Sequence, residues 1–211
     1  MSKELYEAIV SLEELAALKC VREEFDSGKD PLSILEECRQ ALEIVGQRFD
    51  AGEYFLSELI LGAQIFKEAM EVISPALEDG KNEGASLGKV VIGTVKGDIH
   101  DLGKNLVAAM LKAAGFEVYD LGVDVARERF VEMVREVRPQ VVGMSALLTI
   151  AFNEMRDTVM AIEAAGLRDS VKIMVGGGPV NEAVKGYVGA DAVGRNASQA
   201  VELVKMFVGG K

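Results

Sequence analysis

The chain has one histidine, His100, in the string Gly97-Asp98-Ile99-His100-Asp101-Leu102-Gly103-Lys104-Asn105. A lone imidazole two residues after a carboxylate suits an oriented metal ligand. Neutral imidazole donates one ring nitrogen while a carboxylate holds the proton on the other. The string follows an apolar, β-branched run (Val90 to Val95) and opens into a helical pattern (Leu106 to Ala114), so it is expected on a strand-to-helix loop. Taken by itself, a histidine on such a loop is more often hydrogen-bonded and inert. The residues around it have to decide.

Two further groups could join it. Ser145-Ala146-Leu147-Leu148-Thr149 follows a second apolar run, and Ser145 alone would read as a polar strand terminus. Gly176-Gly177-Gly178-Pro179 follows a later run. An isolated glycine run is a turn, but at the carboxyl end of a strand it also lets backbone approach a ligand closely.

The elements that must position these residues fall into two grammars. Residues 3–78 are predicted helical: Leu5, Ile9, Leu12, Leu15 and Leu18 keep a 3.6-residue period, and Asp30-Pro31 opens a second clear helix. Glu53 to Leu77 is the most apolar helix. With a break near Ser11 or Ala17–Lys19, three or four antiparallel helices form a bundle over residues 1–80. Polar, glycine-rich residues 81–88 read as a linker. From 89 to 211 apolar β-branched runs alternate with amphipathic helices through five βα units. This predicts a flavodoxin-like (Rossmann-type) five-stranded parallel sheet, order 2-1-3-4-5, with ligands at the carboxyl ends of its strands.

Charge is uneven. Residues 1–80 hold 7 Lys/Arg against 18 Asp/Glu, whereas residues 81–211 hold 16 of each. An acidic bundle repels phosphate backbones, so no nucleic-acid partner is expected. The excess is either a solvated helical face or a docking surface for a basic partner. No apolar run reaches the roughly 18 residues of a membrane span. Met1-Ser2-Lys3-Glu4 leads straight into an amphipathic helix, and Cys20 and Cys38 lack metal-ligand spacing and read as reduced thiols. A cytoplasmic location follows as the expectation.

Asp98-x-His100-x-x-Gly103, together with Ser145-x-Leu147-x-Thr149 and the glycine run, resembles the corrinoid proteins of methyltransferase systems and the cobalamin module of methionine synthase. The resemblance runs through bundle, linker and α/β domain in that order. It implies a cobamide bound base-off, with His100 as the lower cobalt ligand and Asp98 and Ser145 completing a Ser–Asp–His relay. Ile99, Asp101 and Gly103 would flank the ligand. Ser145, Leu147, Thr149, Gly176, Gly177 and Gly178 would line the slot for the displaced nucleotide tail. Helix 53–77 would cap the upper corrin face, with Phe55 and Leu59 as the contacts on one helix face. Ser57 stands where the family has proline, and Val193 where many relatives have tyrosine, which leaves the choice of lower base open. Ala146, in place of glycine, is closer to the methanol and methylamine corrinoid proteins.

The implied activity is carriage of a methyl group on cobalt between separate methyltransferases, one on the donor side and one on the acceptor side, with a reductive activator. The chain would be a carrier subunit without catalysis of its own. Competing readings are the cobalamin-binding subunit of an adenosylcobalamin-dependent mutase and a cobalamin-based sensor. A flavodoxin-like phosphate or flavin binder leaves His100 unexplained.

Overall fold

The computed structural model describes residues 3–79 and 86–209. The chain divides into two compact units, residues 1–85 and 86–211. Of the linker expected over 81–88, residues 81–85 lie outside the described residues. Leu87 and Gly88 already belong to the second unit: Leu87 N donates to Gly115 O, and Gly88 O accepts from Glu117 N.

The first unit has four helices: α1 (Lys3–Val10), α2 (Glu14–Asp26), α3 (Pro31–Asp50) and α4 (Leu56–Asp79). Asp30 caps α3 by accepting from Ser33 N at 3.2 Å, with Pro31 in the first turn, where its missing N–H costs nothing. The break between α1 and α2 falls at Ser11–Glu13, where Leu12 adopts φ +60°. That break resets the helical phase. Leu5 and Ile9 are fully buried, but Leu15, which continues their sequence period, is 86% exposed, and α2 instead buries Ala17 and Val21. The helix predicted from Glu53 begins only at Leu56. Cys20 and Cys38 are free thiols, and burial pushes Cys38 up to about 12.

The second unit alternates strand and helix. It comprises β1 (Lys89–Thr94), α5 (Leu102–Ala113), β2 (Glu117–Asp120), α6 (Arg127–Val137) and β3 (Val141–Ser145). After these come α7 (Phe152–Ala164), β4 (Lys172–Gly176), α8 (Glu182–Val188), β5 (Ala192–Gly194) and α9 (Ala197–Gly209). The five strands form one parallel sheet in the order β2-β1-β3-β4-β5, as the alternation predicts. β1 registers Val90 on Val141 and Thr94 on Ser145, so the ends of β1 and β3 stand side by side. Val90, Val91 and Ile92 are all buried, because helices cover both sheet faces. Val91, Val142, Ile173 and Val193 pack with Phe130, Met155 and Ile162 of α6 and α7. α5 and α9 pack together, and each also contacts the sheet. Burial of each such aliphatic side chain is worth about 1.5–3 kcal/mol, so this core is stiff enough to hold loops at the sheet edge. Among the described residues no helix is long and apolar enough to cross a membrane.

Candidate functional site

The order β2-β1-β3 brings the loops after these strands to one carboxyl edge, where the strand order reverses and doubly wound folds bind ligands. The β1–α5 loop, 95–101, carries Asp98 and His100. Gly97 makes its turn at φ +81°, a conformation that costs glycine nothing.

Asp98 is fully buried and is the hub of the site. Its Oδ1 accepts from His100 N at 2.9 Å and faces His100 Nδ1 at 2.7 Å. Its Oδ2 accepts from Leu147 N at 2.7 Å and Leu148 N at 2.8 Å, on the loop after β3. Burial pushes the Asp98 carboxyl up. The donors from Leu148, from the His100 backbone and ring, and from Leu147 outweigh it and hold the group at about 2. An ionised carboxylate at Nδ1 keeps the ring proton there, so Nε2 retains its lone pair. The His100 side chain is half exposed. Its carbonyl is held from below by fully buried Thr94, whose Oγ1 donates to His100 O at 3.0 Å.

The loops that carry the imidazole expose apolar side chains among polar ones such as Asp101 and Thr149. Ile99 is 72% exposed and Ile150 75%, with Leu102, Leu147 and Leu148 also exposed. Asp101 precedes α5, with Asn105 bonded to its carbonyl and its carboxylate. A Cβ on Gly103, in the first turn of α5, would meet nothing within 4 Å, so the surface there stays open. Thr149 is exposed and opens a short 3-10 turn. Gly176 ends β4, and its carbonyl accepts from Ala146 N at 3.1 Å. Gly177 takes φ +129° directly against Ala146, and a Cβ there would stand 1.9 Å from Ala146 O. Gly177→Ala should therefore destabilise the protein by about 3 kcal/mol or more, since the clash adds to a φ only glycine accepts. Thermal unfolding of the variant measures this.

Two further groups of expected site residues are placed as follows. Ser145 ends β3, half-buried, but among the described residues its hydroxyl makes no hydrogen bond to Asp98. Asp98 Oδ2 accepts from the Leu147 and Leu148 amides on the loop that follows Ser145. Phe55 and Leu59 do not form a paired face. Phe55 precedes α4, its carbonyl accepting from Leu59 N, and is 74% exposed, whereas Leu59 is fully buried. Of the two, Phe55 alone offers surface. Sequence reasoning also missed Thr94 and the Leu148 amide. A threonine closing the apolar run of β1 was a usable signal for Thr94; a backbone donor leaves none.

Among the described residues no cluster of three or more His, Cys, Asp or Glu could hold a metal ion by itself. One oriented imidazole on loops that expose Ile99, Leu102, Leu147 and Ile150 instead suits a metal that arrives within a flat macrocycle. The residues present therefore fit a corrinoid.

Comparison with known proteins agrees. The chain matches a B12 binding domain family over residues 88–205 and a second B12 binding domain family over residues 1–74. It is 42% identical over 199 residues to a trimethylamine corrinoid protein of Methanosarcina mazei, covering 94% of this chain and 91% of that one. The crystal structure of a cobalamin-binding protein from Desulfitobacterium hafniense superposes with TM-score 0.73 at 40% identity, covering 96% of each chain. A methanol:cobalamin methyltransferase complex from Methanosarcina barkeri gives TM-score 0.83 at 26% identity, over 99% of this chain and 79% of that one. With both of its units matched in this way, the chain belongs to the corrinoid proteins of the B12-binding family.

Proposed function

We propose that the α/β unit binds a cobamide base-off with His100 Nε2 as its lower axial ligand, and that the chain carries a methyl group between partner methyltransferases. The observation that carries this reading is the 2.7 Å Asp98–His100 pair, which leaves Nε2 available on loops that expose apolar side chains. Bound there, the cobamide supplies a cobalt centre that accepts and releases a methyl group.

The chain's own residues do the rest. Asp98 keeps the proton on Nδ1 and makes the imidazole a stronger donor. Ile99, Leu102, Leu147 and Ile150 give the flat apolar contact that excludes water. Gly176, Gly177 and Gly178 let backbone lie close to the nucleotide tail, and Gly103 leaves room beside it.

The names of the relatives favour a carrier over a mutase subunit or a sensor: one is a trimethylamine corrinoid protein, and one structural neighbour is a methyltransferase complex. The partners are then a methyltransferase that loads the methyl group, another that removes it, and a reductive activator.

The test is electron paramagnetic resonance of the cobamide-loaded protein reduced to Co(II), prepared with 14N- and 15N-histidine. We expect axial nitrogen coupling that changes with the isotope. Coupling insensitive to the label would mean that the cofactor's own base is the ligand, and base-off binding would be abandoned.

A further inference from the structure

The β2–α6 loop, 121–126, touches the histidine loop from the side opposite Leu147 and Leu148. It is stitched to the end of β1 by Thr94 N to Gly122 O at 2.9 Å and Val125 N to Thr94 O at 3.0 Å. At its tip Asp124 adopts φ +52°, a left-handed conformation uncommon for a residue with a side chain and best tolerated by Asn and Asp. That conformation directs both of its polar ends at the turn before His100. Asp124 N donates to Asp98 O at 2.9 Å, and Asp124 Oδ1 accepts from Gly97 N at 2.8 Å. Its other oxygen meets Lys96 Nζ at 2.9 Å, a pairing of two half-exposed groups that contributes little.

We infer that Asp124 is a positioning residue: it locks the Gly97–Asp98 turn from the β2 side, so that the Asp98–His100 pair is aimed before any cofactor arrives. The inference rests on the proposed role of His100 and extends it to a residue 27 positions away from Gly97 in sequence. The turn needs support on two sides. Leu147 and Leu148 hold the Asp98 side chain, but they do not constrain the peptide units on either side of Gly97. The turn is closed by one bond of its own, Asp98 N to Val95 O at 3.2 Å, and glycine at φ +81° has no side chain to restrict it, so outside partners add to its hold. Asp124 supplies two of them, one at the Gly97 amide and one at the Asp98 carbonyl. A ligand group held in place by its supporting residues loses less freedom on binding.

Three variants separate the causes. Asp124→Gly keeps the backbone conformation and removes the acceptor for Gly97 N. Asp124→Asn keeps an acceptor oxygen and tolerates the same φ. Lys96→Ala removes only the ion pair. Because the chain has a single histidine, the ring N–H resonance of the unloaded protein belongs to His100 without further assignment. We expect exchange of that proton with water to quicken about fivefold in Asp124→Gly, the scale of one lost hydrogen bond. It should change less than about twofold in Asp124→Asn and in Lys96→Ala, the margin left when that bond is retained. The cobamide dissociation constant should rise in the same order.

Unchanged exchange in Asp124→Gly would overturn the inference, as would equal loss in Asp124→Asn or Lys96→Ala, which would assign the effect to charge. The exchange experiment needs no cofactor. Absence of histidine coupling in the loaded wild-type protein would therefore sink the cobalt-ligand reading while leaving the hold of Asp124 on the turn intact.

Discussion

His100→Ala is expected to lose the histidine nitrogen coupling in the Co(II) spectrum and to weaken cobamide binding at least about 100-fold, with almost no change in fold. Removing even the partners of a metal ligand typically costs 10–100-fold, so deleting the ligand itself sets that range as a floor. Stability should fall by about 1–2 kcal/mol, because buried Asp98 loses one of its four donors while the backbone bonds of His100 to Asp98 and Thr94 do not need the ring. Binding titration and thermal unfolding on the same variant check both halves. A variant that kept wild-type affinity would show that His100 is not the ligand, and a variant that unfolded would show that the imidazole is structural.

Asp98→Asn is expected to fail in both respects. The carboxylate accepts four bonds, two at each oxygen: His100 N and Nδ1 on one, Leu147 N and Leu148 N on the other. A carboxamide has one oxygen, so whichever way it turns, its NH2 faces two donors. In a fully buried position this costs about 3 kcal/mol. Cobamide affinity should also fall about 10–100-fold as the ring loses its orienting partner.

The pH dependence gives a separate check. The folded carboxyl titrates at about 2, below its ordinary 3.8. Its contribution is thus complete above pH 3.8 and is lost as pH falls toward 2, amounting to about 2 kcal/mol. The stability gap between wild type and Asp98→Asn should therefore be constant from about pH 7 to 5 and shrink by about that amount near pH 2, as read by urea unfolding. A gap that stayed constant down to that acid limit would show that Asp98 is not held ionised by these donors.

Much of this architecture was legible in the sequence because its signals are local. Runs rich in β-branched residues such as Val90–Val95, with no alternation of charged positions, require a sheet covered on both faces, and their alternation with amphipathic helices leads to parallel strands. Asp98 and His100 are two residues apart, so a single loop can pair them. The helical phase of Leu5 and Ile9 was equally plain, but Leu15 kept that period and is exposed, because one left-handed residue, Leu12, ends the helix between them. Periodicity cannot register such a break.

What the tertiary structure decided is which partners reach Asp98. The amides of Leu147 and Leu148 lie 49 and 50 residues away along the chain, and Asp124 lies 27 residues from Gly97. They meet only because the order β2-β1-β3 sets three loop ends side by side. Two of these donors are backbone amides, which any residue type supplies, so the sequence carries no mark of them. Ser145 has the residue type expected for the relay, and it is the turn just after it that presents main-chain N–H groups to Asp98. By itself the sequence singled out His100 as the side chain proposed to bind a metal. The packing of the strands decided what holds that side chain in place, since hydrogen-bond geometry depends on where loops converge and not on how far apart they lie in the chain.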